Sequence, residues 1–386
     1  MGSRKIARVA LLATAAALWC RCTSDTTTSS ADSLYVPVYY DWTVGYDPLY
    51  DPLDPFYYSD PYWTFALSAG RPSASTTPPA QFDDLHTVSD QVTKLNQALA
   101  PVFGALKQLA AGSSTDVGNG VRQFGPADLP SGSPFATFRL RVKTVNDTRR
   151  AWLLDAKAVG ASDDAYKAVA AGTLGDLVQD HRGSGTLVVG FSNLHDVNPA
   201  SFTATGRAIV AAAQAMSQAK AVLTRLRDFS PDGVAPPVSG VLAGDRTSDG
   251  VSHVRVVNDT NVVTGSATER IADRIAWKPK SGGRGYAIVS GGDVDAGKYL
   301  LARSCWASKD QLVFRDWRAC DSSRRPSDCL ADASAVVRVD VGTDPSVCTG
   351  PEPALPESAA AVDGPTESAP VTPPALPDDM PLQLPP

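Results

Sequence analysis

From about residue 134 onward, apolar side chains recur at every second position, and this period limits the possible folds more than any other feature. Phe138, Leu140 and Val142 alternate with Arg139, Arg141 and Lys143. In an extended chain the two sets project from opposite faces. A turn at Asn146-Asp147 leads into Ala151-Trp-Leu-Leu-Asp-Ala156. Further strand-like runs occupy 186–191, 251–257, 284–290, 298–304, 311–317 and 335–341, separated by Gly, Asp and Asn. Short strands at short intervals, mostly without helix between them, predict a mainly β fold: an antiparallel sheet or a barrel-like closure. The Ala-rich stretch 206–218 fits helix and strand equally well.

One long amphipathic helix precedes this β-rich region of 113–349. Within 83–112, Leu85, Val88, Val92, Leu95, Leu99, Val102, Leu106 and Leu109 are spaced by threes and fours. Asp83 or Asp84 can cap its start, Gly112 suits its end, and Pro101 is expected to kink it. Such a heptad stripe fits a coiled-coil partner, but a single stripe more often docks on the protein's own sheet.

Weak internal matches suggest a unit of about 110 residues used twice, over 134–229 and 249–342. Val145-Asn-Asp-Thr148 recurs as Val257-Asn-Asp-Thr260, and Gly185–Ser192 faces Gly297–Ser304 at the same offset of 112. Ala219–Leu223 and Ala333–Val337 match at 114, and Tyr166 and Tyr286 precede similar Ala/Val/Gly runs.

Four cysteines follow the first 22 residues: Cys305, Cys320, Cys329 and Cys348. An even set without zinc spacing reads as two disulfides. If 298–305, 311–318 and 335–342 are consecutive antiparallel strands, Cys305 and Cys348 fall at one sheet end, and Cys320 and Cys329 at the other. Eight-residue strands separate those ends by roughly 26 Å, against about 5.5 Å for bridged Cα atoms. The layout therefore pairs Cys305 with Cys348 and Cys320 with Cys329.

The chain begins with basic residues Arg4, Lys5 and Arg8, then an 11-residue apolar run, Val9–Trp19, ending at Cys20-Arg-Cys22. This is a secretory signal over 1–22, too short to span a bilayer as a helix. A Ser/Thr stretch and a Tyr/Asp/Pro-rich tract complete a segment 23–82. Eight of the 11 tyrosines lie in 34–65, with Trp42, Trp63 and four Asp-Pro steps. Proline keeps such a tract extended, so it reads as a tether, or as an aromatic strip suited to stacking on sugars. Residues 350–386 are Pro-rich and acidic without Lys or Arg, the composition of a disordered tail.

The formal charge of −6 resides in these flanks, since 83–350 carries 30 basic against 28 acidic residues. No basic patch points to nucleic acid. Signal, cysteine, polar spacer and β-rich body together resemble the exported lipoproteins of Gram-negative bacteria. That resemblance implies lipidation at Cys20, with attachment at the outer membrane, in the periplasm or at the cell surface. Cleavage after Cys22 is the alternative.

Motifs for a nucleophile elbow, a zinc protease, a P-loop or a dinucleotide fold are absent, and no cofactor is expected. His86 sits beside the helix stripe, and His253 alternates with Val254 and Val256 as a solvent-facing strand residue. Asp180-His181 and His195-Asp196 are the His/carboxylate neighbours. Gly291–Gly297 vaguely resembles a calcium loop but lacks its later ligands, so a hairpin turn explains it better. The expectation is an exported envelope protein of binding or structural role. The alternatives are an envelope-polymer hydrolase with a dispersed His/Asp site, and cell-wall carbohydrate binding through 34–65.

Overall fold

The computed structural model describes residues 84–132, 134–146, 149–178, 182–214, 220–263, 265–278, 281–307, 311–358, 369 and 373–384. The signal with Cys20, the tract 23–82 and His181 lie outside these residues. Helix α1 (Asp84–Ala110) leads into a meander of strands: β1 (Ser114–Asp116), β2 (Val121–Leu129), β3 (Ala136–Thr144), β4 (Arg150–Lys157), β5 (Lys167–Val178) and β6 (Arg182–Gly190). A short α2 (Phe191–Val197) precedes β7 (Thr205–Gln214), β8 (Lys220–Ser230), β9 (Val238–Arg246), β10 (Ser252–Thr260), β11 (Glu269–Lys278), β12 (Gly282–Ser290), β13 (Lys298–Trp306) and β14 (Leu312–Asp321). Then α3 (Pro326–Ala331) and β15 (Val336–Val341) complete the set. Among the described residues, fifteen strands form one antiparallel sheet in chain order, with no crossover.

One face of this sheet is buried almost throughout. Leu140, Trp152, Leu154, Ala170, Leu187, Val210, Val222, Leu242, Val256, Ile271, Val289, Leu300 and Trp317 share it by register, and all are buried. Helix α1 touches β2 and β3 and also β11 and β12, eight to ten strands away. One helix can meet both pairs only if the sheet curls around it. Val92, Leu95, Leu99, Val102, Leu106 and Leu109 are accordingly buried, so the heptad stripe is spent within the chain. Pro101 lies inside the helix without ending it.

The described part of the Ala-rich stretch, 206–214, lies in strand β7, where tertiary pairing decides what propensity leaves open. Strands β2, β5, β8, β9 and β11 give little alternating signal in the sequence. Those that are covered on both faces lose the polar half of the pattern. The offset of 112 does not carry one half of the sheet onto the other. Arg141 and His253 share the outer face, but Leu187 points inward and Tyr299 outward. A change of face amounts to a one-residue slip in register.

The bridges are Cys305–Cys348 and Cys320–Cys329, with Cα atoms 5.7 and 6.0 Å apart. Beside Cys320–Cys329 the outer face is closed by α3. Arg318 is buried, paired with Asp316 at 2.9 Å, and donates to the carbonyl oxygens of Cys329 and Asp332. Asp332 in turn accepts from the Ser334 amide and hydroxyl and from Arg324. The Ser334 hydroxyl first, and Arg324 next, hold its carboxyl at a pKa of about 2.

Two outcomes follow. Replacing both Cys305 and Cys348 by Ala frees a separation of 43 residues, against nine for the Cys320–Cys329 pair. Chain entropy gives losses of about 4 and about 2.5 kcal/mol respectively, so urea midpoints should rank the variants in that order. Asp332 is charged to lower pH folded than unfolded. Its contribution is therefore complete above the ordinary carboxylate value of 3.8 and lost as pH falls through about 2. An NMR titration should place its midpoint there, and Ser334→Ala should move it upward.

Candidate functional site

His195 and Asp196, the described His/carboxylate neighbours, are not assembled as a pair. Residues 195 and 196 fall in the last turn of α2, where successive side chains diverge. The His195 Nδ1 lies 2.7 Å from the Phe202 carbonyl oxygen, whereas Asp196 binds Lys167 of β5 at 2.8 Å. Lys167 also holds the Asp196 carboxyl below its ordinary range. The sequence placed His253 in solvent, but its side chain is only 16% exposed and meets buried Asp245 at 3.0 Å. These two are cross-strand partners in β9 and β10, a register the sequence alone does not reveal.

The Gly291–Gly297 segment is a turn held from within. Asp293 is buried, and its carboxylate accepts from the Ala267 amide at 2.8 Å. Glu269, fully buried, accepts from the amides of Val262, Val263 and Asp293 at 2.8–3.1 Å. Gly292 has φ of +56°, and a Cβ there would stand 2.5 Å from a Glu269 oxygen. The carboxylates therefore fasten the β10–β11 turn to the β12–β13 turn. Among the described residues, no cluster of His, Cys, Asp and Glu is arranged to hold a metal.

A concavity lies on the outer face. There Leu153, Ala171, Val188, Ile209, Ala211, Leu223, Val241 and Ala243 form an apolar strip from β4 to β9. The expected disorder of the tail does not describe residues 373–384, which cross this strip with Leu376, Met380, Leu382 and Leu384 packed on it. Beyond Ala171 and Val188 the floor turns polar. Thr173 and Thr186 face each other across β5 and β6 with hydroxyls 2.9 Å apart. With Ser184 they floor a groove of about 480 Å³. Asn146 and Arg149 line one side, and Pro374, Ala375 and Pro377 of the tail line the other. Hydroxyls, an amide and one guanidinium suit hydrogen bonding to a hydroxylated ligand, not proton transfer.

Comparison with protein-family models, with curated proteins and with solved structures finds no match to this chain.

Glu269→Gln places an amide donor against backbone amides that already donate. It should lower stability by about 2–4 kcal/mol. Calcium or a chelator should leave the melting temperature of the unaltered protein where it is. A calcium-dependent rise would show that Glu269 and Asp293 serve an ion rather than the backbone.

Proposed function

We propose that this chain is an exported cell-envelope protein, lipid-anchored through Cys20, that binds a hydroxylated polymer of the cell wall. The groove over Thr173, Ser184 and Thr186, walled by the chain's own tail, carries the reading. Its lining offers several neutral hydrogen-bonding groups along a shallow open channel, which suits repeated weak contacts with a polysaccharide better than one chemical step. The two disulfides support an oxidising compartment. The aromatic tract 34–65, between anchor and domain in the sequence, extends the same chemistry by ring stacking.

The hydrolase alternative, with a dispersed His/Asp site, gains no support from His195 and Asp196, whose side chains bind different partners. The experiment is co-sedimentation of the mature protein with insoluble peptidoglycan. The unaltered protein should pellet with it, and Thr173→Val with Thr186→Val should lower retention about tenfold without loss of fold. Equal retention of the two proteins, or none of either, would remove the groove as the site. Release of soluble sugar during the incubation would restore the enzyme reading.

A further inference from the structure

The outer face of β7 and β8 carries three arginines in one small area. Arg207 and Arg227 are directly opposite in the ladder, and Arg225 is two residues from Arg227 on the same face. Like charges in such positions repel, so a sheet surface of this kind needs an anionic occupant. The tail supplies it. Arg225 donates to the Pro377 carbonyl oxygen at 2.7 Å and to the Asp378 carboxylate at 2.8 Å. Arg207 pairs with Asp379 at 2.8 Å and donates to the Met380 carbonyl oxygen. Arg227 donates to the Asp378 carbonyl oxygen.

Two independent kinds of recognition thus coincide. Guanidinium groups grip an extended backbone by its carbonyls and acidic side chains, while Leu376 and its neighbours fill the apolar strip. The occupant is joined to the domain through 359–372, a stretch of 14 residues. Fully extended, that length reaches about 45 Å, about the diameter of a compact domain whose radius of gyration is roughly 18 Å. The same segment can therefore reach the face of a neighbouring molecule.

We propose that the β7–β8 arginine face is a receptor for the acidic, proline-interrupted C-terminal segment, and that it accepts this segment from a second copy of the chain. In the closed monomer the segment occupies its own face; exchange between copies links them. Retention on cell-wall polymer and this exchange are read by different assays, so either can fail alone.

The test uses the full chain with a protease site inserted between 359 and 368, cleaved after folding. A fluorescent peptide with the sequence of residues 373–384 should exchange into the cleaved protein. Arg207→Glu with Arg225→Glu should weaken it at least about tenfold, as should Asp378→Arg with Asp379→Arg in the peptide. Combining the two reversals should restore binding, which separates recognition from misfolding. Failure of the peptide to enter a cleaved protein with unchanged circular dichroism would overturn the receptor. Uncut chains bearing two different tags should form mixed dimers as concentration rises, and Asp378→Arg with Asp379→Arg, at exposed positions, should abolish them. A strictly monomeric uncut chain at all concentrations would overturn exchange between copies.

Discussion

The apolar stripe of α1 is buried against strands that stand eight to ten places apart in a single sheet, and this contact organises the molecule. A meander of antiparallel strands satisfies backbone hydrogen bonds locally, but it says nothing about how its faces leave water. Curling around a helix buries the inner face on both sides of that helix at once. It also fixes the sense of every strand: residues in register with Leu140 and Trp317 point inward, and those in register with Ile209 and Leu301 point outward.

Curling leaves the outer face to be finished by other parts of the chain. Over β13 and β14 this is done by α3, a disulfide at each end of the strands and the buried Arg318–Asp316 pair. Over the middle it is done by the tail, whose few apolar residues sit on the strip while its aspartates meet arginines. Buried carboxylates serve the same end. Glu269 and Asp293 take backbone amides that the turns leave without sheet partners, which explains acidic residues in a Gly-rich hairpin more simply than an ion does.

Much of the framework was legible, for physical reasons. Alternation exposed β3 because its outer face carries Arg139, Arg141 and Lys143, the first two paired with Asp155. Strand length alone separated the two sheet ends by more than any disulfide spans, which left one pairing. Strands such as β5 and β9 were missed because both of their faces are covered and they are rich in Ala and Gly, so neither period nor propensity marks them. His253 reads as solvent-facing from its own neighbours, whereas its partner, Asp245, comes from a register between strands.

The sequence by itself determined a β-rich body, its bridging cysteines, an apolar helical stripe and two compositionally distinct flanks. These are properties of single segments: periodicity, spacing and charge. The tertiary structure alone decided that the stripe goes inside the sheet and that an acidic tail has a surface to lie on. It also decided that the hydroxyls of Thr173 and Thr186 share a groove. Each of those depends on residues far apart in the chain being brought to one face, and only the register and curvature of the completed sheet do that.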